Sequence, residues 1–198
     1  LNTKGIPSVQ ADLGIEVTLA LFNKEGLTKL FKAIRSKEWE LSANCQRILA
    51  LENNYINTID QVILFLQGKL DTIAHLICSR SFLPEADAFD QMDNLDWAFG
   101  AMGKQDKAKH IATMYLEDLG NLIKETIDPH FGFSRYAESL GRSANTFDEL
   151  YAALNAPQSY LDNILLNIFE QHIQKVQPKL VCISVPFPGN LYTSLRCG

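Results

Sequence analysis

The feature that most constrains this chain is a helical periodicity that returns along most of its length. Across residues 104–127, Ile111, Tyr115, Leu119, Leu122 and Ile123 recur at steps of three and four, which places them on one face of an α-helix. Asp128-Pro129 ends that stretch, because proline disfavours helical backbone in the residue before it. The same spacing recurs in residues 13–22 (Leu13, Val17, Ala20, Leu21), in residues 27–34 (Leu27, Leu30, Phe31, Ile34), and in Tyr160–Val176, which Pro178 closes. Residues 42–67 carry Ile48, Leu49, Tyr55, Ile59, Ile63 and Leu66, with Ser42 as N-cap and Gly68 as stop. Asp71 is placed to cap a helix bearing Ile73, Leu76 and Ile77. Residues 136–140 and 147–154 read as short helices, the second opened by Thr146 with Glu149 three residues on, a capping-box pattern. The chain is therefore expected to be mostly α, with helix in more than half of its residues.

Two segments break this pattern. Residues 180–185, Leu-Val-Cys-Ile-Ser-Val, form a nearly continuous apolar run rich in β-branched side chains, the signature of a strand buried on both faces. Residues 6–11 are short, apolar and preceded by Gly5, and read as a second strand. Helix followed by such a strand implies a parallel sheet covered by helices.

Charge and cysteine usage narrow the partners. A net charge of −5 over 198 residues removes the long-range attraction that draws proteins to phosphate backbones, so nucleic acid is not an expected partner. No apolar run approaches the ~20 residues that cross a bilayer; residues 62–66 are the longest candidate. Cys45, Cys78, Cys182 and Cys197 contain no Cys-x-x-Cys pair and are too sparse for a disulfide framework, and no signal segment opens the chain, which points to a reducing cytoplasm. Both ends read as cut. Residues 1–5 resemble the last turn of a helix closed by Gly5, and residues 194–198 the first turns of another.

Several constellations bear on chemistry. Asp87, Asp90, Asp93 and Asp96 recur every third residue, but the glycine turn and distal glutamate of a calcium loop are missing, so a solvated acidic face is expected. His75 and Cys78 share a helix face, and two ligands among apolar neighbours favour boundary packing over a metal or nucleophile site. His110 and His172 are lone histidines on amphipathic helices and belong on exposed flanks. Asp128-Pro-His130-Phe-Gly132-Phe133 differs from the Asp-x-His-x-x-Gly of cobalt-ligating domains by a glycine one residue early and by following a helix; it reads as a helix-breaking turn that packs Phe131 and Phe133. The segment from Val185 to Asn190 is the most suggestive, because ligands of open α/β sheets bind beyond the carboxyl ends of strands. There Ser184, Pro186, Gly189 and Asn190 are candidate cofactor-binding residues, with Asp12 and Gly14 at the matching position after the first strand. A rigid strand-to-helix connection with no ligand accounts for the same residues equally well. No dinucleotide fingerprint, Walker loop or nucleophile elbow is present, and no residue stands out as catalytic.

Three stretches carry a family resemblance: GIPSVQADLGIEVTLALFNKEGL at 5–27, IDPHFGFSRYAESL at 127–140, and SYLDNILLNIFEQHIQKVQPKLVCISVPFPGNLYTSLR at 159–196. In wording, order and spacing they resemble the N-terminal region of radical SAM proteins with a cobalamin-binding-type domain, the Fe–S oxidoreductase group. The resemblance implies a helical insertion (24–177) on an incomplete Rossmann-like α/β domain, formed by 6–23 and 178–198 with two short parallel-type strands. It implies an accessory region, not catalytic by itself, whose partner is a downstream radical SAM domain holding a [4Fe–4S] cluster and S-adenosylmethionine. Cobalamin, if bound, is then held without a histidine ligand. The rival reading is a helical module that recognises a peptide or protein substrate and uses no cofactor. An incomplete sheet also leaves strand edges open, so the chain is expected either to self-associate as a homo-oligomer or to leave its sheet conspicuously incomplete.

Overall fold

The computed structural model describes residues 2–94, 103–133 and 147–198. It is mostly helical, at 68% helix. Its helices are α1 (Leu13–Leu21), α2 (Lys24–Arg35), α3 (Ala43–Ala50), α4 (Glu52–Leu66), α5 (Ala74–Cys78), α6 (Lys104–Thr126), α7 (Asp148–Asn155), α8 (Tyr160–Val176) and α9 (Leu191–Cys197). Short 3-10 turns cover Asn2–Lys4, Asp71–Ile73, Asp87–Asn94 and Pro188–Asn190. The chain divides into two compact units: Leu21–Phe133, and Leu1–Ala20 together with Ser134–Gly198.

The first unit is built around α6. Its residues Ile111, Ala112, Tyr115, Leu119, Leu122 and Ile123 are buried, as the periodicity required. α3, α4, α5 and the Asp87–Asn94 turn all pack on α6, and α2 packs on α4. Asn23 starts α2 by accepting the Gly26 N–H at 2.8 Å, and Leu27, Leu30, Phe31 and Ile34 are buried below it. The 42–67 stretch is two helices, not one. Ser42 caps the first as expected, but Leu51 leaves helical geometry (φ −95°, ψ 11°) and its carbonyl accepts from Asn54 and Tyr55, so α4 starts afresh there. The buried face keeps one phase across the break, with Cys45 and Ile48 in α3 and Tyr55, Ile59, Val62 and Phe65 in α4, while Ile63 and Leu66 are only half-buried. Gly68 follows at φ +70°, a left-handed position that suits glycine. Asp71 makes no cap; it opens a 3-10 turn ahead of α5. After α6 the chain turns at Asp128, and Phe131 and Phe133 stack with Phe22 at centroid distances of 6.3 and 5.2 Å over Gly120.

The second unit holds α1, α7, α8 and α9. Ser159 and Asp162 form a full capping box at the start of α8, and α9 packs on both α7 and α8. The capping box expected at 146–149 is not the start of α7: Phe147 is its N-cap and makes no side-chain bond, while Thr146 and the helix expected at 136–140 lie outside the described residues.

Residues 6–11 and 180–185 require a correction. Neither has regular secondary structure, and no strand occurs among the described residues. Nor is the second segment buried on both faces. Leu180 is 79% exposed, and Val181, Ile183 and Val185 are 41–45% exposed. A two-stranded ribbon is marginal in water even when its strands meet, and two short runs bring too few partners to form a sheet.

Candidate functional site

The expected site residues fall into two groups. Asp12 is the cap of α1: its Oδ1 accepts the Ile15 N–H at 3.1 Å and its carbonyl the Glu16 N–H at 3.0 Å. Gly14 lies in the first turn of α1, where a Cβ would meet nothing closer than Asp12 Oδ1 at 3.4 Å, so the backbone does not demand glycine. Ser184, Pro186 and Asn190 are exposed and Gly189 is half-buried, the last two within the 3-10 turn that leads into α9. Asn190 donates its N–H to Phe187 O and accepts from Thr193 Oγ1, which makes it a hinge between the extended segment and the helix. No hydrogen bond joins the 12–14 group to the 184–190 group among the described residues. A pair near them does connect α1 and α8: His172 Nε2 lies 2.8 Å from Glu16 Oε2, so the histidine expected on an exposed flank is half-buried and engaged. Both apolar segments leave from this junction, 6–11 just ahead of α1 and 180–185 just after α8.

Segment 180–185 is the least satisfied part of the described chain. No residue from 178 to 186 makes a backbone or side-chain hydrogen bond. Its N–H and C=O groups therefore face water beside exposed apolar side chains, the state of an unpaired sheet edge.

Several polar side chains that sequence reasoning did not single out are, by contrast, engaged, although Asp162 Oδ1 is buried with no hydrogen-bond partner among the described residues. Asp118 on α6 is 0% exposed; its carboxylate accepts from Ala86 N (2.9 Å), Ala88 N (3.0 Å) and Tyr55 Oη (3.3 Å). Burial raises its pKa, against the opposing pull of those donors. Tyr115 stacks on Tyr55 at 5.0 Å and donates to the Tyr55 carbonyl, and burial pushes both phenols up. Two turns beyond Asp118, Glu125 accepts from Ser42 N, Ser42 Oγ (2.8 Å) and Cys45 Sγ (3.1 Å); the Ser42 N–H leads in lowering its pKa. In the second unit Asp162 Oδ2 accepts from Ser159 N and Tyr192 Oη, and lies 3.3 Å from Arg196. Arg196 also caps the carbonyls of Leu154 and Ala156 at the end of α7. These are braces. Each ties a helix end or loop to a neighbouring helix.

The geometry leaves little for catalysis. Burial drives the Cys45 thiol up to about 11 and raises Cys78 and Cys197, so none of the three is a thiolate near neutral pH. His75 and Cys78 go separate ways, His75 Nδ1 to Thr72 O and Cys78 Sγ to Lys104 O. Asp87 and Asp90 are exposed; the 3-10 turn stacks residues three apart, yet no cluster fit for a metal ion occurs among the described residues. His130 is exposed, and Asp128 Oδ1 accepts its backbone N–H instead of orienting its ring, so the pair lacks the carboxylate–imidazole arrangement of a cobalt ligand. Two shallow hollows of about 560 and 440 Å³ lie side by side along α6, sharing Asp87, Asn121 and Lys124. No described helix is long and apolar enough to cross a membrane.

Comparison with models of known protein families finds no match, and comparisons with curated proteins and with solved structures find none.

The braces were missed because a single carboxylate on an amphipathic helix resembles any solvated acid. Only Asp162 left a trace, three residues after Ser159 at a helix start.

Proposed function

We propose that this chain is a cobalamin-binding-like accessory region of a radical SAM Fe–S oxidoreductase, not catalytic by itself. One observation carries the reading. The order α8, then the unpaired apolar segment 180–185, then a Pro-Phe-Pro-Gly-Asn turn into α9 has the arrangement of a helix–strand–helix unit, although 180–185 itself has no regular structure. In this reading the missing strands, the [4Fe–4S] cluster and S-adenosylmethionine belong to other parts of the same protein, and 6–11 and 180–185 are two strands of an incomplete Rossmann-like sheet. Cobalamin has no histidine ligand here, so any corrin is held by shape and backbone contacts beyond the carboxyl end of 180–185. The cytoplasm is the compartment that keeps such a cluster and the four free cysteines reduced.

The test is the protein purified anaerobically with whatever sequence flanks this chain in its gene. The reading expects a Cys-x-x-x-Cys-x-x-Cys motif after residue 198 and four irons per chain lost when those cysteines become alanine. A flanking sequence without such a motif, or a protein that holds no iron, overturns it.

The hollows along α6 favour a second reading, a helical module that recognises a peptide. They present Glu117, Asn121 and Lys124 on one face of α6, beside Asp87 of the 3-10 turn and the half-exposed ring of Phe133. A flanking sequence without the cluster motif strengthens this reading.

A further inference from the structure

We propose that residues 180–185 are a docking strand for an extended segment of another polypeptide, one that is apolar at alternate residues and carries carboxylates at the end that lies beside Lys179. The backbone argument comes first. Nothing in the described chain bonds to the N–H and C=O groups of residues 179–186, so the segment offers a complete edge. Strand addition to such an edge gains main-chain hydrogen bonds from one side while alternate side chains set the selectivity. Prolines at 178, 186 and 188 bound it and restrict pairing to about seven residues.

Side chains define the partner's centre. Val181, Ile183 and Val185 fall on one face of an extended chain, and all three are β-branched and 41–45% exposed. Covering them removes apolar surface from water and places them opposite similar side chains, the contact that stabilises sheets. A helix cannot use these backbone groups, which excludes a helical occupant.

Charge defines one of the partner's ends. Between residues 171 and 198 the chain has no aspartate or glutamate, although its net charge is −5. Lys175 and Lys179 stand just before the segment, exposed and without an ion pair among the described residues. A strand with carboxylates at the end beside Lys179 meets that charge. A second copy of this chain does not, since its own segment brings the same lysines and no acid. The proposal stands apart from the radical SAM reading, in which the partner strand belongs to the same polypeptide; the test below reads docking alone.

Two probes decide it: an acetylated peptide Glu-Glu-Val-Thr-Val-Thr-Val-Glu-Glu, and its counterpart with lysine at the four charged positions. Amide exchange and binding are followed on the 198-residue chain at low salt. The acidic peptide is expected to bind about tenfold tighter than the basic one, a preference that salt erodes. Exchange slows at alternate amides within 181–185, because one neighbour takes every second N–H of a strand. Lys179→Glu removes the preference. The double variant Ile183→Pro/Ser184→Pro strikes both alternate sets and abolishes the protection, while an unchanged helical circular dichroism spectrum shows that the fold is intact. Equal affinity for the two peptides overturns the proposal, as does an acidic peptide that binds without slowing exchange at 181–185. Protection that rises with protein concentration in the absence of peptide also overturns it, because the occupant is then a second copy.

Discussion

The two units of this protein solve the same problem in opposite ways. In Leu21–Phe133, a long amphipathic helix gathers the others around it, and five large aromatic side chains, Tyr55, Tyr115, Phe22, Phe31 and Phe65, are almost wholly buried. In the other unit the buried apolar side chains among the described residues are Leu150, Leu161, Leu165 and Tyr192, while Ile6, Val9, Leu180, Val181, Ile183, Val185 and Phe187 stand exposed. The difference follows from the kind of hydrophobic pattern. A helical stripe satisfies its backbone internally and needs only a facing stripe, whereas a strand needs a neighbour for its backbone as well as a cover for its side chains. The first unit buries its large side chains among its own helices; the second leaves segment 180–185 without hydrogen-bond partners among the described residues.

The sharpest way to break this contrast is to remove a brace from the complete unit. Asp118→Ala leaves the Ala86 and Ala88 N–H groups and the Tyr55 hydroxyl without their acceptor in a dry site. The expected loss is about 3 kcal/mol, since each unpaired buried donor costs about 1–3 kcal/mol and relaxation recovers part of it. Urea denaturation followed through the first unit's tyrosines measures it. A change below about 1 kcal/mol would show that α6 does not hold the 83–88 loop in this way.

A smaller effect comes from pH, and two carboxylates on α6 set it in opposite directions. The buried Asp118 has a folded pKa above its ordinary 3.8, so the native state binds more protons than the unfolded one just above that value. Its contribution therefore falls as pH rises through that window. Glu125, held by Ser42, has a folded pKa below its ordinary 4.5, so its contribution is present above that value and lost as pH falls through the folded one. Glu125→Gln should flatten the acid-side loss of stability, and Asp118→Asn the decline on the rising side. Denaturation midpoints between about pH 3 and pH 6 read both slopes, and a matching sign for the two variants would contradict the assignment.

How much of this was legible beforehand divides along the same line. The spacing of Ile111, Tyr115, Leu119, Leu122 and Ile123, the stop at Pro129 and the packing of Phe131 and Phe133 follow from local rules, and the structure agrees with each. Leu51 did not announce itself: one non-helical residue between two good helices leaves the spacing from Ile48 to Tyr55 and Ile59 unchanged. Asp118 and Glu125 acquire their roles from partners 30 to 83 positions away, a distance that no window along the chain can span. At 180–185 the nearly continuous apolar run predicts a strand, whereas the described segment has no regular structure. The run could not give the surroundings, because burial of a strand depends on other chains of hydrogen bonds that the segment does not encode.

The smallest expected effect tests the contrast most directly, through one truncation made in each unit. Leu122 is 0% exposed in the α6 core, and Leu122→Ala removes buried volume at an expected cost of about 3 kcal/mol, in the usual range for leucine truncated in a packed interior. Ile183 is 41% exposed, makes no hydrogen bond and lies in a segment with no regular structure. Ile183→Ala therefore creates no cavity and strands no polar group, and its effect on the isolated chain should stay within about 0.5 kcal/mol. The same change removes the central β-branched side chain of the proposed docking face, so it should weaken binding of the acidic strand peptide while leaving the unfolding midpoint in place. Thermal denaturation with and without peptide separates the two readouts. A substantial loss of intrinsic stability in Ile183→Ala would mean that the segment is packed within its own chain in solution, and the open edge on which the contrast rests would not exist.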